Sequence, residues 1–149
     1  MIIADTGFFL ALFNANDDHH QRAITLLQKL DEPLITTHPV VTETCYLLVA
    51  RGGGIQQKCQ FLLDIAEAAF QLFEMRSPHF QRMAELIEQY QDLPMDYADA
   101  SLVVLAEYLN EGRILTTDCK DFAVYRWHRT KAFRSEEHTS ELQSRIRIS

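Results

Sequence analysis

Cysteine is scarce. The 149 residues contain three, Cys45, Cys59 and Cys119, widely spaced and without a CxxC pair. That excludes a disulfide framework and a zinc knuckle, and it fits a reducing, cytoplasmic setting. Long apolar runs are missing too. The opening MIIADTGFFLALF is interrupted by Asp5, has no basic leader and is too short to span a bilayer, so no membrane association is expected. Positive charge is in deficit: 14 Lys and Arg against 21 Asp and Glu leave a net charge of −7, which argues against nucleic-acid binding through bulk electrostatics. A metal-assisted nuclease stays open, because acids gathered at a metal inflate the negative count and a partner or second copy could bring the phosphate contacts. No internal repeat or linker divides the chain.

What is present is ordinary for one globular domain: 47% hydrophobic and 23% charged residues. One segment stands apart. RSEEHTSELQS (134–144) and the following RIRIS are polar and aperiodic, and they can be back-translated to a read-through of a common library adapter. Residues 134–149 are therefore expected to be a non-native, disordered tail. Its charges cancel (Arg134, Arg145 and Arg147 against Glu136, Glu137 and Glu141), so the −7 belongs to residues 1–133, the expected domain.

Within 1–133, strand and helix patterns alternate. MIIAD, LITT, FQLFEM and RILTT read as short buried strands. Helices are expected in GFFLALFN, HQRAITLLQKL, HPVVTETCYLLVAR, IQQKCQFLLDIAEAA, SPHFQRMAELIEQYQ and YADASLVVLAEYLN, with Pro39 suited to a first turn and the Gly52–Gly54 run as a breaker. FAVYRWHRTKAF (122–133) should hold the last connection and a final edge strand. The alternation is that of an α/β fold, a three-layer α/β/α sandwich around a mainly parallel sheet, in which ligands bind at the carboxyl ends of the strands.

Acids fall at that edge. Asp5 ends the first strand and Asp118 the fourth; Glu43 lies in the first turns of the helix after the second strand; Asp96 and Asp99 open the helix in PMDYADASL. Strand exits and the helix starts that follow share one side of a right-handed α/β sheet, so these carboxylates can converge. Two carboxylates about 4 Å apart repel by roughly 4 kcal/mol at an effective dielectric of 20, so such a group needs a cation. An all-oxygen donor set prefers a hard ion, Mg²⁺ or else Mn²⁺, over zinc. Such an ion can activate water and stabilise charge developing on a phosphate, with one acid taking the proton.

Taken together, MIIADTGFFLALF, TETCYLL, MDYADASLVVLAE and ILTTDCKDF resemble the PIN-domain ribonucleases, most closely the VapC-type toxins of bacterial toxin–antitoxin pairs, over nearly all of residues 1–133. The resemblance implies a PIN-like, Rossmann-like fold and a Mg²⁺-dependent endoribonuclease. By position it assigns the catalytic, metal-binding quartet to Asp5, Glu43, Asp99 and Asp118, with Asp96 and Asp121 as supporting acids. It also implies RNA as substrate, a cognate antitoxin as partner and self-association into a homodimer.

Plainer readings compete residue by residue. Asp96 is a natural N-cap, and Asp121 can cap the turn before Phe122. Thr6 and Thr116 could orient carboxylates or water. His19, His20 and His38 read as solvated loop and helix-start residues, and Cys119, flanked by acids, is a poor nucleophile. Arg126, Trp127, His128 and Arg129 could meet RNA by stacking and phosphate contact, although edge packing explains Trp127 equally. Two other functions remain in view. One is a catalytically inactive PIN-like RNA- or protein-binding module. The other is a phosphoacceptor domain, which lacks support because LITT and FQLFEM end without the required aspartate and Lys120 follows Asp118 directly.

Overall fold

In a computed structural model of the chain, residues 1–117 and 119–135 are described. A five-stranded sheet has the order β3-β2-β1-β4-β7, from Phe70–Phe73, Leu34–Thr37, Ile2–Ala4, Arg113–Leu115 and Arg134–Ser135, and every pairing in it is parallel. The central strands β1 and β2 are buried at every position, the mark of strands covered on both faces. At the edge, β3 is buried only at its two ends.

Helices cover the sheet: α1 (Thr6–Phe13), α2 (His20–Lys29), α3 (His38–Ala50), α4 (Ile55–Ala66), α5 (Ser77–Gln89), α6 (Tyr97–Leu109) and the short α7 (Cys119–Val124). Phe9, Phe13, Phe61 and Phe70 pack ring against ring, with centroids 5.1 to 6.3 Å apart, and pin α1 and α4 to β3. The helix α6 is buried at Ala98 and throughout Ala100–Ala106, as expected of a helix apolar on all sides. Its one buried hydroxyl is satisfied: Ser101 Oγ donates to Ala98 O at 2.7 Å and lies 2.7 Å from Thr37 Oγ1 at the end of β2. Thr36 Oγ1 donates to Ala4 O at 2.8 Å. These contacts fix the exit of β1 and the start of α6 against β2.

The α/β/α architecture agrees with the sequence, and the differences are local. In the stretch 122–133, expected to hold a connection and an edge strand, residues 122–124 instead complete the helix α7, and 126–132 form a separate antiparallel hairpin of β5 (Arg126–Trp127) and β6 (Lys131–Ala132). The edge strand is β7, which lies inside the segment expected to be a disordered tail: Arg113 and Ile114 pair with Arg134 and Ser135. Ordered sheet therefore reaches two residues past 133. The remainder of the expected tail, 136–149, lies outside the described residues. None of the described helices is long and apolar enough to cross a membrane.

Candidate active site

The strand order reverses between β1 and β4. From β1 the chain winds to β2 and β3 on one side, and β4 lies on the other. A sheet of this kind opens a crevice at that switch point. Asp5 N donates to Leu115 O at 3.1 Å, tying the two exits together. Above them lies a cleft of about 300 Å³ lined by Asp5, Glu43, Asp96, Asp99 and Asp121. Leu10, Leu47, Leu102 and Phe122 supply its apolar surface.

Each acid is placed by local structure. Asp5 is the N-cap of α1; its Oδ1 accepts from Phe8 N at 2.9 Å, and the residue is only 6% exposed. Such a cap satisfies an otherwise unpaired amide and sets the negative charge at the positive helix end. Thr6 beside it is buried and also lines the cleft. A glycine follows: a Cβ on Gly7 would overlap Thr117 Oγ1, so glycine lets α1 start against the exit of β4 with Thr117 in place. Glu43 reaches the cleft half-buried from the second turn of α3.

Asp96 is the N-cap of α6, its Oδ1 accepting from Asp99 N at 2.8 Å. Asp99 is half-buried, and the Tyr125 hydroxyl donates to its Oδ2 at 3.3 Å. Burial, helped by the charges of Asp96 and Asp121 and opposed by hydrogen bonds from the Asp96 backbone and Tyr125, pushes the Asp99 carboxyl from the usual 3.8 to about 7. Burial first, and then the same acids, raise the Tyr125 hydroxyl as well. The capping pair thus divides into an exposed cap, Asp96, and a reluctantly ionised acid, Asp99. Asp121 lies in the first turn of α7 and is exposed at the rim.

Of the candidate residues, Asp5, Thr6, Glu43, Asp96, Asp99 and Asp121 share this one cleft. Asp118 lies outside the described residues. Thr116 does not line the cleft: β4 ends at Leu115, and Thr116, still packed in the interior, is fully buried, leaving Thr117 to face the opening. None of the three histidines lines the cleft; His20 Nδ1 lies 2.7 Å from Ala11 O and ties α2 to α1. Two members of the basic and aromatic cluster are taken up by the fold. Trp127 is buried against Gly112, its Nε1 donating to Ala132 O, and Arg126 Nη1 donates to the carbonyls of Ala123, Val124 and Tyr125 at the end of α7. Sequence reasoning passed over Thr117, Tyr125 and Arg51. The last could have been found, since Glu43, Leu47 and Arg51 are spaced by four along one helical face.

The donor chemistry fits a hard cation. The cleft acids offer oxygen only, and no cationic side chain is among the groups that set the Asp99 proton affinity. Among the described residues, no three His, Cys, Asp or Glu side chains lie close enough together to hold an ion.

A PIN-domain family model matches residues 2–127. The chain belongs to the PIN-domain family. Ribonuclease VapC26 of Mycobacterium tuberculosis is 30% identical over 125 residues, which cover 84% of this chain and 92% of the relative, and this places the chain with the VapC-type members. Two solved structures share the fold. One is the M. tuberculosis toxin VapC20, which cleaves the sarcin–ricin loop (TM-score 0.74, 19% identity, 80% of this chain and 92% of that one). The other is a toxin–antitoxin complex from Klebsiella pneumoniae (TM-score 0.61, 17% identity, 83% and 92%).

Proposed function

We propose that this PIN domain is a Mg²⁺-dependent endoribonuclease, the toxin of a toxin–antitoxin pair acting in the cytoplasm. The observation that carries the reading is that Asp5, Glu43 and Asp99 line one cleft at the β1/β4 switch point. The relatives support it: one is a ribonuclease, one an RNA-cleaving toxin, one part of a complex with an antitoxin. In this reading Asp5, Glu43, Asp99 and Asp118 hold Mg²⁺, or Mn²⁺ in its place. The ion, when bound, supplies charge stabilisation at the scissile phosphate and a more acidic water.

The chain's own residues do the remainder. Asp5 is held in place by its cap bond, Oδ1 accepting from Phe8 N. Asp99, held near neutrality and oriented by Tyr125, is suited to exchange a proton with water at ordinary pH. Thr6, Thr116 and Asp96 steady these carboxylates, Asp121 adds charge at the rim, and Thr117 lines the cleft beside them. The leaving ribose oxygen must gain a proton while the attacking water loses one, so the reaction consumes one water per phosphodiester cleaved. A cognate antitoxin and a second copy of the chain complete the assembly.

The test is incubation of the purified protein with total RNA, with Mg²⁺ or with EDTA, beside Asp5→Asn. Internal cleavage is expected only with Mg²⁺ and only for the unaltered protein. Cleavage by Asp5→Asn in Mg²⁺ would sink the assignment.

A further inference from the structure

The cleft has one basic side chain among its described lining residues, Arg51. It is exposed and makes no ion pair with any described residue, although five carboxylates line the same cleft. An arginine needed only to neutralise those acids would be paired with them. Its backbone is anchored instead. Arg51 caps α3, with its N–H donating to Leu47 O, and its carbonyl accepts from the buried Asn14 Nδ2 at 3.4 Å. Gly52 turns away at φ +86°, and Gly53 passes so close to Leu48 O that a Cβ would lie 2.7 Å from it. The arginine is thus held at a fixed point on the cleft wall, its guanidinium unpaired among the described residues.

Glu43, Leu47 and Arg51 lie on one face of α3, so Arg51 is eight residues, or about 12 Å of helix, from Glu43. Their backbones therefore stand about two helical turns apart along the cleft wall. We infer that Arg51 forms a phosphate subsite at the end of the cleft, holding a backbone phosphate of single-stranded RNA next to the one positioned by the acids. The inference rests on the nuclease reading for the identity of its ligand. Guanidinium matches a phosphate bidentately, and a strongly negative protein needs such a contact to hold a polyanion.

The experiment measures anisotropy of a short, labelled single-stranded RNA, with every variant made in an Asp99→Asn background so that no turnover occurs. Counterion release on single strands contributes a slope of about 0.7 per phosphate contact, so Arg51→Ala should weaken binding about fivefold at about 0.1 M salt and reduce the salt slope by about 0.7. Arg51→Lys, which keeps the charge, should restore the slope. Lys29→Ala, at the end of α2 that leads into β2 and away from the cleft, should change neither quantity. Wild-type affinity and slope in Arg51→Ala would overturn the inference. So would an equal loss in Lys29→Ala, or tighter Arg51-dependent binding of a glutamate-rich peptide of the same charge. Because no turnover is read, Arg51-dependent RNA binding by a protein that never cleaves RNA would leave the subsite standing and remove the nuclease reading. Cleavage with Arg51-independent binding would do the reverse.

Discussion

Replacing Asp99 by asparagine should stabilise the metal-free protein, by an amount that depends on pH. Asparagine keeps the shape of the side chain and an oxygen to accept from Tyr125, but removes a charge that the fold holds at a cost. The Asp99 carboxyl sits at about 7 in the folded protein against an ordinary 3.8. Its proton is therefore bound more tightly folded than unfolded, and stability falls as pH rises through that window. Below about pH 4 the carboxyl is neutral in both states and the variant gains nothing on this account. Above about pH 7 the penalty is complete. The difference between 3.8 and about 7 corresponds to a ceiling of roughly 4 kcal/mol, and water reaching this half-buried group reduces that to about 2 kcal/mol. For a chain of this size that is about 4 to 8 °C in melting temperature. The assay is urea denaturation of both proteins in EDTA from pH 4 to pH 8, taking the difference at each pH so that other titrations cancel. A difference that stays flat across the range, or a variant less stable than wild type at pH 8, would refute the reasoning.

Other substitutions probe the frame around the cleft. Thr44 Oγ1, next to Glu43 on α3, is buried with no hydrogen-bond partner among the described residues, so Thr44→Val should raise stability by about 1 kcal/mol in equilibrium unfolding. Gly7→Ala pushes a methyl into Thr117 Oγ1 and should cost about 1–3 kcal/mol as well as RNA cleavage, read by melting and turnover on one preparation. Glu107 accepts from Arg82 Nε and Nη2 at 2.9 and 3.0 Å and from His128 N at 2.7 Å, where His128 and Arg129 turn the hairpin at positive φ. Glu107→Ala should therefore cost about 2–3 kcal/mol by urea titration while RNA affinity is unaltered, because this cluster is apart from the cleft.

The fold was legible where periodicity is strong. Buried parallel strands such as IIA and LITT and the apolar run of α6 carry their class in composition, and the alternation of strand and helix then fixes the edge at which the acids gather. Legibility failed where local signals are short. The six residues of α7 are too few for a helical period, and the β5/β6 hairpin turns at His128 and Arg129 with no glycine or asparagine to mark it. Thr116 and Thr117 differ only in which side of the strand end they face, and the sequence carries no signal that picks out Thr117 as the one lining the cleft. Asp96 and Asp99 were recognisable as a pair from their spacing. Their division of labour was not, because it depends on Tyr125, 26 residues away in sequence and delivered by α7.

The measurement closest to the central claim is a calorimetric titration of the unaltered protein with Mg²⁺ at pH 6.5, repeated in two buffers of different ionisation enthalpy. A cation bound by these carboxylates must displace the proton that Asp99 holds near neutrality. The account predicts saturable binding whose heat differs between the buffers by a fraction of one proton released, and loss of both signals in Asp99→Asn. Binding without proton release, or binding of equal strength in Asp99→Asn, would contradict it.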